Sequence, residues 1–304
     1  MCSSDLTRVA SRLYERFCNV PSCAIIGLGL MGGSIAAGLK KQGAGYRIAA
    51  WDRSADSLKQ GLSAGLIDAV LDDTQVIDAD LVILALPVRA LATVLPEIDF
   101  GDAVITDVGS VKGHVIETFN SVLGDVPAKF VPGHPIAGSE QHGVAAANPD
   151  LFAGHRVILT PLENTDGAAT ELVVDFWQRL GATITFMTPA HHDQVLAQTS
   201  HLPHLLAYAL VDTLSLGGDS MEVFQFAAGG FRDFSRIAAS DPVMWRDIFL
   251  TNPGPVLEGL DRYVEEVASL RQLISEGNGE QLEVLFARAK VARDHFAEIS
   301  LSDD

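Results

Sequence analysis

The sequence predicts an α/β fold: a doubly wound parallel sheet within residues 1–188, followed by an all-helical domain over 189–304. Three observations point there. Short apolar runs alternate with helical segments from residue 22 to residue 160. One of them, DLVILALP (80–87), has almost no polar alternation, as suits a parallel sheet covered on both faces. After Pro189 no strand-like run remains, and apolar residues recur every three or four positions.

Each element follows in order. Residues 1–21 read as a leading amphipathic helix with Leu6, Val9, Leu13 and Phe17 on one face. CAIIGLG (23–29) is the first strand, and a helix runs from it to about Lys41. RIAAWD (47–52) is the second strand, with SADSLKQGLSAG as the helix after it. DLVILALP (80–87) and AVITDVG (103–109) are buried strands, the latter followed by a helix from about Val111. KFVPGHP (129–135) reads as one further short strand. RVILTP (156–161) and ATITFM (182–187) bracket a helix over 167–180. Residues 190–216 form one long helix that Pro203 bends. A second helical region, 219–250, is interrupted at Gly229-Gly230. The last two helices are separated by a GNG turn at 277–279. One carries Leu257, Leu260, Val264, Val267, Leu270 and Ile274 as a stripe; the other carries Leu282, Leu285, Ala289, Phe296 and Ile299. Such stripes are buried either internally or across a symmetric homodimer interface, and the sequence leaves both open.

Composition narrows the function. At 304 residues the chain is long enough for two domains of ~150 residues each. It has 39 acidic and 21 basic residues, a net charge of −18. That balance excludes a nucleic-acid binder or a partner of anionic membranes, both of which need a basic footprint. It does not exclude a small anionic substrate, because a few local arginines overcome the mean field. No run approaches the ~18 apolar residues of a transmembrane helix. The N-terminus lacks a signal peptide's apolar core. The three cysteines, Cys2, Cys18 and Cys23, are odd in number and form no CxxC. A disulfide framework is therefore not expected, and a cytoplasmic setting is.

The first strand ends in Gly27-Leu28-Gly29-Leu30-Met31-Gly32, a GxGxxG turn between strand and helix. Gly27 permits the tight turn, Gly29 admits a pyrophosphate, and Gly32 lets helix pack on strand. This is the signature of a Rossmann-type dinucleotide site. Asp52 ends the second strand and is placed to accept ribose hydroxyls, which favours NAD. Arg53 beside it leaves NADP open. Leu86-Pro87 falls at the carboxyl edge where such ligands lie. The plainer alternatives are a glycine turn needed only for packing and a proline that starts a helix.

Two further clusters, Asp107–Lys112 and Gly133–Glu140, follow strands and belong on that same edge. His134 is a candidate general acid/base, with Ser110 beside it or on the substrate. The alternatives are Ser110 as a helix N-cap, Lys112 solvated, and His134 structural. The helical part opens with His191-His192-Asp193 and continues with His201 and His204, three apart on one face. No carboxylate or cysteine lies at ligand spacing to them, so no metal is expected. They are read as hydrogen-bonding the substrate or neighbouring domain, or as capping or core residues. Arg232 and Arg236, four apart after the Gly-Gly break, are a candidate carboxylate clamp. Salt bridges to Asp233 or Asp241 are the alternative.

Together, GLGLMGGS, ITDVGSVK, GHPIAGSE, HHDQVLAQTSHLPH and FRDFSRIAASDPVMW resemble the prephenate and arogenate dehydrogenases of tyrosine biosynthesis. The resemblance spans residues 22–250 and implies NAD(P)-dependent oxidative decarboxylation of a cyclohexadienyl acid. It implies that His134 takes the proton of the substrate hydroxyl, with Ser110 beside it and the nicotinamide. Arg236 then binds a substrate carboxylate; Glu140, His201, His204 and Lys112 lie in or near the site. It also implies dimerisation through the last helices. Neither the chorismate mutase domain nor the ACT domain of some relatives is expected, so any tyrosine inhibition would act at the active site. Two rival readings are a β-hydroxyacid dehydrogenase and a non-catalytic NAD-binding regulator. The first needs a helical-domain lysine, for which the sequence offers only Lys290; the second needs a partner segment that is not evident.

Overall fold

The structure, a computed structural model, describes residues 21–43, 45–71, 77–139, 141–216 and 220–302. The leading helix expected before residue 21, Cys2, Cys18 and Glu140 lie outside the described residues.

The chain opens with β1 (Ser22–Ile26), α1 (Leu30–Lys41), β2 (Arg47–Trp51) and α2 (Ala55–Ser63). α1 buries a face of small residues from Gly32 to Leu39 and places Lys40 and Lys41 at its negative end. The Ser54 hydroxyl caps α2 by accepting the Ser57 N–H at 3.2 Å. Next come β3 (Ala69–Val70), β4 (Leu81–Leu84), α3 (Leu91–Val94), β5 (Val104–Asp107), α4 (Lys112–Leu123) and β6 (Phe130–Val131). The six strands form one parallel sheet in the order β3-β2-β1-β4-β5-β6. The chain reverses its winding between β1 and β4, which opens a crevice at their carboxyl ends.

The expected single strand over 129–135 is two strands. β6 ends in the parallel sheet, and β7 (Gly133–Pro135) pairs antiparallel with β8 (Arg156–Leu159). Pro132 stands at the corner; it has no N–H to continue a ladder, while its carbonyl accepts from the Thr160 amide at 2.9 Å. α5 (Gly167–Arg179), capped by Asp166, then leads to β9 (Thr183–Phe186), parallel to β8. So the last three strands form a small second sheet, β7-β8-β9.

Among the described residues, every element after β9 is helical. α6 (Pro189–Leu196) starts at the Thr188 cap and passes through a π turn (Ala197–His201) into α7 (Leu202–Ser215). The bend expected at Pro203 is this wider turn, since Pro203 cannot donate to the Thr199 carbonyl. Then follow α8 (Ser220–Gln225), α9 (Gly229–Ser235), a 3-10 turn (Arg236–Ala239), α10 (Pro242–Thr251), α11 (Pro253–Ser275) and α12 (Gly279–Ser302). Among the described residues no helix is long and apolar enough to cross a membrane.

Two apolar clusters sandwich the main sheet. One gathers Phe152, Phe176 and Trp177; the other stacks Phe100, Phe119 and Phe130. Trp245 and Ile248 of α10 join the second cluster, so the helical part packs into the sheet's own core. By contrast, much of the α11 and α12 stripe is bare in the single chain: Val264 is 56% exposed and Ile274 66%.

Candidate active site

The glycine turn between β1 and α1 has the shape the crevice needs. Gly27 sits at φ +102°, and a Cβ there would lie 2.3 Å from the Ala85 carbonyl oxygen. A Cβ on Gly32 would lie 2.0 Å from the Gly27 oxygen. Sterics alone demand both glycines. Gly29 differs: a Cβ there would meet nothing within 4 Å. Gly29 is also the N-cap of α1 and offers no side-chain cap, so the first amides of that helix await an outside acceptor. Open space before an uncapped helix start fits a pyrophosphate.

Asp52 accepts the Leu28 N–H and the Ser54 N–H, each at 2.7 Å, one on each carboxylate oxygen. It therefore pins the glycine turn to the end of β2, and each oxygen keeps a lone pair for a ribose hydroxyl. Arg53 is exposed. Leu86 Cδ2 would lie 3.2 Å from a Gly27 Cβ, and Pro87 is exposed at the same edge. Leu30 and Met31 open α1, half-buried.

A buried ion pair ties the next two strand ends together. Asp107 Oδ1 accepts the Gly133 N–H at 3.0 Å, and Oδ2 accepts the Gly109 N–H at 2.8 Å. The Lys112 ammonium, fully buried, donates to Asp107 Oδ2 and to the Gly133 carbonyl, both at 2.5 Å. Burial pushes the Lys112 pKa down, against the pull of Asp107. This clamp sets His134, the residue after Gly133, beside the loop that carries Ser110.

His134 Nδ1 lies 2.9 Å from His192 Nε2, and His192 Nδ1 lies 2.8 Å from Asp193 Oδ1. Asp193 also accepts the Lys112 and Gly113 amides at 2.8 Å, one on each oxygen. Those amides form the first turn of α4, whose N-cap, Val111, has no capping side chain. Asp193 thus caps α4 from the helical part of the molecule. Burial holds His134 well below the usual histidine pKa, with His192, Lys112 and His201 adding to it. Burial also lowers His192, against the bond from Asp193. For Asp193 burial pulls upward, but the bonds from His192, Gly113 and Lys112 prevail and its pKa falls.

His204 stacks on Trp245 at 3.7 Å between ring centres, and His201 meets the same indole edge-on at 6.1 Å. The two histidines do share a face. His204 Nδ1 donates to the Ser200 carbonyl at 2.8 Å. His201 Nδ1 accepts from Asn252 Nδ2 at 3.3 Å, and burial takes its pKa to about 4. Arg236 begins the 3-10 turn, close enough for its charge to disfavour protonation of His204. The Tyr208 hydroxyl fixes that turn to α7 by donating to the Ser240 carbonyl at 2.6 Å.

Two family matches divide the chain. The nucleotide-binding domain of prephenate dehydrogenase matches residues 35–186, and the dimerization domain of prephenate dehydrogenase matches 188–288. The chain belongs to the prephenate dehydrogenase family. The cyclohexadienyl dehydrogenase of Zymomonas mobilis is 39% identical over 279 residues, 89% of this chain and 94% of that one. The prephenate dehydrogenase of Bacillus subtilis is also 39% identical over 279 residues, 89% of this chain and 74% of its own. The crystal structure of prephenate dehydrogenase from Aquifex aeolicus, in complex with hydroxyphenyl propionate and NAD+, matches with a TM-score of 0.82 and 35% identity. That match covers 91% of this chain and 99% of the other. As a member of the family the chain is an oxidoreductase with NAD as its cofactor.

Several expectations change within this family frame. Lys112 is not solvated; its ammonium is fully buried against Asp107. His201 is 1% exposed, buried edge-on against Trp245. Ser110 is not the N-cap of α4, since that position is Val111 and the capping carboxylate is Asp193. Arg232 and Arg236 are not on one continuous α-helix, because the chain tightens to 3-10 geometry at Arg236. Arg232 is exposed. Lys290, the lysine a β-hydroxyacid dehydrogenase would need, lies on the exposed face of α12 paired with Asp294 at 2.6 Å. The residues missed are His192 and Asp193 as partners of His134. HHD stood in the sequence, but no spacing shows that Asp193 meets α4, eighty-one positions away from Lys112.

Proposed function

We propose that His134 is the general base in the NAD-dependent oxidative decarboxylation of prephenate, arogenate or both. The observation that carries this reading is the chain Asp193–His192–His134 at the carboxyl edge of the sheet. β1, β4 and β5 are neighbours in the main sheet, and Asp107 at the end of β5 accepts the Gly133 amide, so His134 stands by the same carboxyl edge as the glycine turn. Gly29, the first amides of α1, Asp52 and Leu86 would hold the cofactor. When bound, NAD accepts the hydride from the ring carbon that carries the hydroxyl.

The rest belongs to the protein. His134 Nε2 takes the hydroxyl proton as the carbon–oxygen double bond forms. The bond to the ring carboxylate then breaks, CO₂ leaves, and its electron pair makes the ring aromatic and the oxygen a phenolate. His134 returns the proton to that oxygen. Arg236, with His204 beside it, binds a substrate carboxylate; a guanidinium suits this bidentately. Ser110, whose hydroxyl bonds no group among the described residues, is free to meet the substrate hydroxyl.

We place the division between the two halves near residue 188, with the site between them, and the protein in the cytoplasm. We further read the bare stripe on α11 and α12 as the face of a homodimer, and Asp52 as favouring NAD over NADP. Mixing the protein with prephenate or arogenate and NAD+ tests the activity: reduced nicotinamide is expected with at least one of them. Its absence with both would overturn the reading.

A further inference from the structure

We propose that Asp193 and His192 are positioning residues that fix the tautomer of His134, leaving its Nε2 bare for the substrate hydroxyl. This rests on His134 acting as the base. The inference is a count of hydrogens. Asp193 accepts two amides at the start of α4, and its pKa is lowered, so it is an ionised acceptor. His192 Nδ1, 2.8 Å from it, must therefore carry the hydrogen. A neutral imidazole has one N–H, so His192 Nε2 is bare. His134 Nδ1, 2.9 Å from that nitrogen, must then donate. His134 is left with a bare Nε2.

Every other arrangement fails in a buried site. A hydrogen on His134 Nε2 with His192 unchanged points two lone pairs at each other across 2.9 Å. Exchanging both tautomers instead points a bare His192 Nδ1 at the carboxylate across 2.8 Å. Neither contact is tolerable where water cannot intervene. The remaining charged or titratable groups around His134 are Lys112 with its partner Asp107, and His201. The Lys112 ammonium opposes a proton on His134. When His134 does take the substrate proton, its charge is met through His192 by Asp193, a charge-assisted chain.

The chain shows how Asp193 is seated. A Cβ on Gly113 would lie 2.9 Å from Asp193 Oδ2, so glycine there is what admits the carboxylate. Asn252 Nδ2 donates to the Asp193 carbonyl at 2.9 Å and holds it from the other side.

The deciding variant is Asp193→Asn. Whichever way its amide turns, one of the backbone N–H groups of α4 loses its acceptor, and the negative charge that holds the hydrogen on His192 Nδ1 and meets a proton on His134 is gone. An enzyme whose orienting carboxylate becomes an amide loses on the order of 10⁴ in kcat. We expect kcat to fall at least about 100-fold, with KM for substrate and NAD changed less than about threefold. Nitrogen NMR of 15N-histidine-labelled protein should show His134 carrying its hydrogen on Nδ1 in the wild type. A wild-type His134 with its hydrogen on Nε2, or an Asp193→Asn protein with unchanged kcat, overturns the proposal. If Asp193→Asn does not fold, the wild-type spectrum still decides. Gly113→Ala supplies the kinetic arm, with the same selective loss of kcat expected; unchanged kcat there also counts against the proposal. Full activity in His134→Gln would sink the base assignment alone, and the tautomer reading would stand.

Discussion

Burial, with Lys112 and the histidines at 192 and 201, keeps His134 unprotonated well below the usual histidine range. Activity that needs the neutral ring is therefore expected to stay level as pH falls through 6.5, and to drop only on a more acidic limb. A kcat/KM profile with its acid limb centred on an ordinary histidine pKa would contradict this. His201 gives a stability prediction with the opposite reporter. Its folded pKa of about 4 lies below the ~6.5 of an unfolded histidine, so only the unfolded chain binds a proton between them. Stability from this group is thus level above pH ~6.5 and declines toward pH ~4, by up to ~1.4 kcal/mol per pH unit. Urea midpoints at neutral and at mildly acidic pH would read it. Lys112 is tested by Lys112→Met, which strands the Asp107 carboxylate without its cation. A loss of ~3–5 kcal/mol is expected in denaturant unfolding, because an unpaired buried charge is costly. At this scale the sequence exposed residue types well and environments poorly. His134, Ser110 and Arg236 stood out by chemistry, whereas Lys112 reads the same whether solvated or, as here, 0% exposed.

Among the elements, the turn between β1 and α1 separates two functions of glycine. Gly32→Ala should fail to fold, since its Cβ would overlap the Gly27 carbonyl. Gly29→Ala should fold with little change in Tm, because its Cβ enters open space at a negative φ of −87°. It should nonetheless raise the KM for NAD tenfold or more, since the methyl fills the room a pyrophosphate needs. Melting curves beside NAD titrations would check both. β1, β4 and β5 were legible because each is buried along nearly its whole length and so reads as an unbroken apolar run, whereas the two-residue β3, half exposed, gave no such signal. What stayed hidden was pairing. Nothing in KFVPGHP tells that Pro132 turns the chain from one sheet into another, since the partner strand β8 lies more than twenty residues on. The π turn before Pro203 was hidden likewise: proline predicts a disturbance, and only the packing of His201 and His204 on Trp245 gives its form.

Across the whole molecule, the apolar surface of the helical part asks for cover. Val264 on α11 and Phe286 on α12 are each 56% exposed, and Val284 and Val291 more so. Isolated apolar side chains on a surface need no explanation, but several on two long helices, in a region that matches a dimerization domain, are what a partner's surface would cover. The parent is expected to elute as a dimer in light-scattering chromatography, and a Val264→Asp, Phe286→Asp double variant as a monomer. The sequence left internal burial and dimer burial open because a stripe says only that it avoids water, not whose surface covers it.

Asp193 joins the two halves in a way that bears on more than chemistry. The carboxylate that finishes α4 is also the one that orients His192, so a swing of the helical half off the sheet would release both at once. The joint then works as an interlock: a molecule loosened there goes silent before it unfolds. The amide protons of Lys112 and Gly113 would be its gauge, their exchange with solvent rising in step with lost turnover at denaturant concentrations too low to melt the sheet.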